Sequence, residues 1–232
     1  SRRTPRETRP PSTAGTESMD SYSPLPIPKC QQFKALIDQR SDDLRNGTVE
    51  DSYLSFSGVT TTRFQYIESH RRSLGAAHVR FTYFPDIGTL ITKVPSEPHE
   101  KCHYILGSRI KDHLRMNMGI AFDEVVGTAA TKRQGKGNTI KEPDSSFKNL
   151  RLRSQVGDWP HWVIEGGMSE SLQRLRADAS WWINHSEGEV LLVILIWIRP
   201  SLKIIKIETW VPERTLPPPG PRTRSRAAIP TL

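Results

Sequence analysis

Lys141-Glu142-Pro143-Asp144-Ser145-Ser146-Phe147 and Trp159-Pro160-His161-Trp162-Val163-Ile164-Glu165-Gly166-Gly167 are the two stretches on which the reading of this chain turns. Each carries an acidic residue in or beside a short apolar run with the length and composition of a strand. Asp144 and Glu165 are therefore expected at the ends of neighbouring strands, with their carboxylates converging. Magnesium takes hard oxygen ligands, commonly one or two carboxylates with water and substrate phosphate completing the shell. A paired Asp and Glu thus suit phosphodiester hydrolysis. The plainer reading of the same residues is a half-exposed strand bearing ordinary surface acids.

Working outward, residues 29–40 place Phe33, Leu36 and Ile37 on one helical face, and residues 62–74 do the same with Phe64, Ile67 and Leu74. Val79, Phe81 and Tyr83 alternate as a strand does. Pro85-Asp86-Ile87-Gly88 supplies turn chemistry, and a returning strand runs through Val94, which makes a hairpin. Ser96 is placed to cap a helix whose first turn holds Glu97 and Glu100, favourable at the positive end of the dipole, and which runs to about Gly119. Residues 122–132 read as a strand, 134–138 as a loop, and 139–147 as one strand carrying Asp144. After the strand to Glu165, a helix is expected from Ser169, with Leu172, Leu175, Ala179, Trp182 and Ile183 as its buried stripe. Residues 190–198 and 202–210 complete the sheet. This order implies an α/β or α+β architecture, a mixed sheet flanked by helices.

Pro143-Asp144, then Glu165 after an apolar strand, then Ser169-Glu170-Ser171-Leu172 resembles the PD-(D/E)XK nuclease superfamily, and within it the Uma-type restriction endonuclease-like domains. Tyr83-Phe84-Pro85-Asp86-Ile87-Gly88-Thr89-Leu90-Ile91 is similar to the first hairpin of that family. Pro95-Ser96-Glu97-Pro98-His99-Glu100 is similar to the opening of its long first helix. Order and spacing agree over residues 81–210. The resemblance implies a magnesium or manganese ion held by Asp144, Glu165 and the Gly166 carbonyl, with Glu100 as an outer acid. One departure matters, because the family's Glu-x-Lys reads Glu165-Gly166-Gly167 and its lysine is missing. Arg176 is the expected substitute. At about 100° per residue it falls roughly 70° from the centre of the apolar stripe, whereas Arg174 points roughly 130° away and pairs on the surface with Asp178. An inactive binding module on the same fold is the alternative.

A second alternative is zinc hydrolysis. His99-Glu100-Lys101-Cys102-His103 satisfies His-Glu-x-x-His, which on a helix offers two imidazoles with the Glu as general base. Against it, Pro98 puts His99 in the first helical turn, and the one well-spaced third ligand, Glu124, falls in an expected strand.

The formal net charge is +8, with 18 prolines and a hydrophobic fraction of 35%, enough for a modest core. Residues 1–28 and 213–232 are rich in Arg, Pro, Ser and Thr and are expected to be disordered tails around a domain at 29–212. Within the domain, Lys132, Arg133, Lys136, Lys141 and Lys148 surround Asp144, a clustering that would supply sequence-independent attraction to phosphate. Nucleic acid, DNA or RNA, is therefore the expected partner, with a homodimer left open. Trp159 and Trp181 are candidates for stacking on a base. No membrane partner is expected, since residues 190–198 are too short to span a bilayer. Cys30 and Cys102 stand far apart and no secretory segment opens the chain, so an intracellular, reducing setting is expected.

Overall fold

The computed structural model of the chain describes residues 24–168 and 172–213. Residues 1–23 and 214–232 of the tails expected at 1–28 and 213–232, and the helix start expected at Ser169, lie outside the described residues. The fold is mixed α+β, with four α-helices and two mixed sheets among the described residues. None of those helices is long and apolar enough to cross a membrane.

The first sheet has the order β1-β2-β4-β3-β7-β6, from β1 (Leu25–Pro26), β2 (Tyr53–Ser57), β3 (Arg80–Phe84), β4 (Thr89–Lys93), β6 (Arg133–Gln134) and β7 (Ile140–Lys141). Leu25 lies in the segment expected to be a disordered tail, yet it pairs in parallel with Phe56. Helices α1 (Cys30–Asn46) and α2 (Thr61–Ser69) cover one face and bury Phe33, Ile37, Phe64 and Ile67 against Phe56, Phe81, Tyr83 and Leu90. Thr60 caps α2 by accepting from the Arg63 amide, and Gly47 ends α1 in the left-handed region at φ 69°.

The second sheet has the order β11-β10-β9-β8-β5, from β5 (Val125–Gly127), β8 (Ser145–Asn149), β9 (Trp162–Met168), β10 (Leu192–Arg199) and β11 (Ile204–Trp210). Strands β9 and β10 are parallel, joined through helix α4 (Leu172–His185). Alternation along β10 explains its near-continuous apolar sequence. Val193 and Leu195 face α4, while Ile194, Ile196 and Ile198 face helix α3 (Glu97–Met118), so both sides of the strand are buried. Helix α3 opens with Glu97 and Pro98 and closes on Gly119 at φ 68°, within a residue of the expected bounds.

Two strand expectations are corrected. Residues 122–132 hold only the short β5, because the chain turns at Ala129, whose φ is 49°. Residues 139–147 are not one strand. Pro143 has no N–H to give a ladder, and the chain leaves the first sheet at Lys141 and enters the second at Ser145. Glu142 anchors this crossing, accepting from Arg71 and, at 3.0 Å, from the Phe81 amide. Asp144 thus sits in the passage between the sheets.

Helix α3 approaches β8 closely at Gly107, where an added Cβ would stand 2.5 Å from Phe147 Cζ. The Phe147 ring is itself stacked on Trp162 with centroids 3.9 Å apart, so it has little room to yield. Gly107→Ala would gain about 1 kcal/mol of helix propensity but incurs about 1–3 kcal/mol of overpacking. We expect a net loss of stability in urea denaturation; an increase would show that α3 can shift away from Phe147.

Candidate functional site

The register of β8 on β9 pairs Ser145 with Ile164, which sets Asp144 level with Glu165. Alternation along β4 sends Leu90 into the first core and turns Lys93, at the strand end, away from it toward the second sheet. Lys93 Nζ donates to Asp144 Oδ2 at 2.6 Å and to the Gly166 carbonyl at 2.5 Å, and lies 3.8 Å from Glu165 Oε2. Asp144 Oδ2 also accepts from the Gly166 amide at 2.8 Å and from His99 Nε2 at 2.9 Å. The side chains of Asp144, Glu165 and Lys93 are 0%, 1% and 6% exposed. Gly166 is glycine for a reason of space, since a Cβ there would stand 2.9 Å from His99 Cδ2.

The network continues toward α4. Glu165 Oε1 accepts from Trp182 Nε1 at 2.6 Å and lies 3.8 Å from Lys141 Nζ. Lys141 donates to Asp178 Oδ1 at 2.8 Å, and the Tyr53 hydroxyl donates to Asp178 Oδ2 at 2.9 Å. The Arg174 guanidinium stands 4.7 Å over the Tyr53 ring. Three acids and three cations are thus brought together in the interior.

These surroundings separate the carboxyl groups. Burial pushes Glu165 up to about 8, against the opposing pull of Lys141 and Lys93. Burial alone would also raise Asp144, but the His99 and Lys93 donors outweigh it and hold it well below the usual carboxylate range. Asp178 is likewise held low, Lys141 and Arg174 overcoming its burial. Burial lowers His99, with Asp144 only partly offsetting it. An ionised Asp144 can only accept, so the proton on a neutral His99 is on Nε2.

On the solvent side, His103 Nδ1 is 2.7 Å from Ser145 Oγ, and Glu100 accepts from Arg80 Nη2 at 3.1 Å. Glu100 Oε1 lies 3.7 Å from His99 Nδ1 and 3.5 Å from His103 Nε2. Burial alone would raise Glu100, yet His103 and Arg80 hold it below the usual range. Glu124, the third zinc ligand considered from sequence, is elsewhere, accepting from Asn149 at 2.9 Å.

Several expected roles change with this geometry. Asp144, Glu165 and the Gly166 carbonyl do converge on a cation, but that cation is the ammonium of Lys93. A magnesium ion needs oxygens near about 2.1 Å and would collide with Nζ, so it does not fit at that point while Lys93 holds it. Arg176 is not the substitute for the missing lysine, for it is exposed and paired with Glu208, Nη2 to Oε1 at 2.6 Å. Arg174 is the buried one, and its neighbour Asp178 is buried with it rather than on the surface. The stripe of apolar residues understated the buried arc of α4, because that helix also faces the polar groups of the first sheet. Arg133, Lys141 and Lys148 are buried too and present no surface to phosphate. Lys141 is committed to Asp178 and Lys148 donates to the Gln155 carbonyl. Lys132 pairs with Glu68 at 2.7 Å, and Lys136 is exposed.

Lys93 was missed by sequence reasoning. Its signal is a lysine closing Thr89-Leu90-Ile91-Thr92-Lys93, a strand buried at every position, where an unpaired charge is untenable. A wide cleft of about 930 Å³ lies apart from this centre, lined by Lys136, Arg153, Trp159, His185 and Glu189 among others.

No protein-family model matches the chain, and no curated protein matches it. A solved structure described as "Crystal structure of SSO0001" covers 78% of this chain and 78% of its own at 13% sequence identity. Its TM-score is 0.26, a likeness that carries no argument about fold or function.

Two outcomes follow from the buried charges. Removing one member of a buried ion pair strands its partner, so Lys141→Met should cost about 3–5 kcal/mol, read from denaturant midpoints, and a neutral result would mean Asp178 and Glu165 are solvated. Glu165 holds its proton to about 8 when folded and releases it near its ordinary value when unfolded. Between those values the folded state binds more protons, so stability falls as pH rises through this window. Glu165→Gln should flatten that part of the stability profile; an unchanged slope would place the titration on another group.

Proposed function

We propose that this domain hydrolyses nucleic-acid phosphodiesters at the Asp144–Glu165 centre, with Lys93 as the cation that the Glu165-Gly166-Gly167 run lacks. The observation that carries this reading is the Lys93 ammonium, 2.6 Å from Asp144 Oδ2 and 3.8 Å from Glu165 Oε2. It brings together in space the two acids and the amine of the PD-(D/E)XK pattern that the sequence resembles.

The protonation of the pair supports the same reading. Asp144 is ionised and Glu165 keeps its proton through neutral pH, and carboxyls pushed apart in this way divide the roles of acceptor and donor. A water molecule attacks phosphorus as the bond to the departing oxygen breaks; Glu165 gives its proton to that oxygen and takes one from the attacking water. Lys93 offsets negative charge developing on the phosphoryl oxygens, and Asp144 orients both Lys93 and His99. The magnesium or manganese implied by the resemblance enters no step here, since Lys93 occupies the point where those ligands meet.

Burial of the same three side chains favours a second reading, an inactive nuclease-like domain that binds nucleic acid. A cleavage assay on plasmid, single-stranded DNA and RNA, with magnesium, manganese, zinc and EDTA arms, separates the two. Cleavage is expected in the unmodified protein, and Glu165→Gln, which keeps the neutral form of the group, should lower turnover at least about 100-fold, in the range expected for a lost proton donor. Arg176→Ala should leave it unchanged. Absence of cleavage in every arm with salt-sensitive nucleic-acid binding retained would establish the binding domain instead.

A further inference from the structure

Two buried ring nitrogens, His99 Nδ1 and His103 Nε2, have no hydrogen-bond partner among the described residues. One nitrogen of each ring and one carboxylate oxygen of Glu100 lie within 4.8 Å of one another. An imidazole nitrogen left bare inside a protein forfeits the hydrogen bond it would have in water, so a pair of them beside a carboxylate calls for an explanation. From this geometry we infer that His99, Glu100 and His103 form a binding site for one divalent transition-metal ion of the zinc class, through His99 Nδ1, His103 Nε2 and a Glu100 carboxylate oxygen.

The surroundings match what such ligands require. Ligating imidazoles give their other nitrogen to a carboxylate, carbonyl or hydroxyl group, which fixes the ring and its tautomer. His99 gives Nε2–H to Asp144 Oδ2 at 2.9 Å, and His103 Nδ1 is 2.7 Å from Ser145 Oγ. Glu100 is oriented by Arg80 at 3.1 Å. Each of the three ligands therefore has its own outer partner, contributed by a different element from the helix that carries the ligands.

The separations are also close to those required. Tetrahedral ligands on zinc stand about 3.4 Å apart, against 3.7 Å from Glu100 Oε1 to His99 Nδ1 and 3.5 Å to His103 Nε2. Small rotations of Glu100 and of the two imidazoles would bring the three ligand atoms, all within 4.8 Å of one another, to those separations. That side chain is 40% exposed, which leaves an entry path and an outer coordination position for water. Two imidazoles and one carboxylate suit zinc, manganese, cobalt or iron rather than magnesium. This differs from the His-Glu-x-x-His expectation, in which Glu100 is a general base; here the helix start brings Glu100 in as a ligand.

The inference does not depend on the nuclease reading, and its test reads metal rather than turnover. The full chain, stripped with EDTA, is titrated with zinc, cobalt, manganese and magnesium by calorimetry and in competition with a chromophoric chelator. One equivalent of zinc or cobalt should bind, and magnesium should not compete. His103→Ala should weaken zinc binding at least about 100-fold, and Ser145→Ala about 10-fold, as loss of an outer partner does. His113→Ala, on the exposed side of α3, should change nothing. Circular dichroism of each variant checks that it is folded. No stoichiometric zinc or cobalt binding by the unmodified protein would overturn the site, as would equal affinity in a folded His103→Ala variant. Binding in a protein that cleaves nothing supports the site while removing the phosphodiesterase reading.

Discussion

The interior of this molecule is organised around one buried ammonium. Lys93 lies in the gap between the two sheets, and its Nζ is shared by the Asp144 carboxylate in the passage between them and the Gly166 carbonyl of the second sheet. A charge so placed is tolerable only if every contact is made, because an unpaired buried ion costs several kcal/mol. The end of β4, the passage before β8, the glycine pair in β9 and the first turn of α3 must therefore all be in register at once. The requirement for Gly166 follows directly, since His99 packs on it to reach the same Asp144 oxygen.

From that point the polar groups spread in two directions with different chemistry. Toward α4 the charges alternate tightly through Glu165, Lys141 and Asp178, all enclosed, with Trp182 and Tyr53 satisfying the remaining oxygens. This side resembles structural neutralisation, and burial there keeps Glu165 protonated near neutrality against the pull of Lys141. Toward the start of α3 the network opens to solvent, and two imidazole nitrogens have no hydrogen-bond partner among the described residues. Asp144 joins the halves. It accepts from Lys93 on one side and from His99 on the other, so a change in the charge held by either group is felt by the other through a shared oxygen.

Local structure was legible in the sequence wherever near neighbours decide it. Pro98 and Gly119 bound α3, although Ser96 at its start makes no side-chain cap bond; the Pro85 to Gly88 turn closes the β3-β4 hairpin, alternation marks β3, and apolar runs mark β9 and β10. The placement of Asp144 beside Glu165 also followed, because each acid borders an apolar strand and the strands are adjacent in the chain. Capping, turn chemistry and side-chain periodicity act over a few residues, and a linear reading captures them.

Contacts made across long separations were decided by tertiary structure. Lys93 meets Asp144 across 51 residues and Gly166 across 73, and no periodicity relates them. The switch of sheets at Pro143, the burial of Lys141 and Lys148 within an apparently basic surface, and the inversion of roles between Arg174 and Arg176 share one cause. Each depends on how the first sheet packs across α4 and the second sheet, which fixes the faces that are enclosed. The sequence by itself determined the class of fold, most of its elements and the two carboxylates of the centre. The packing of one sheet on the other decided which cation those carboxylates hold, because charge can be neutralised only by what the folded chain brings within reach.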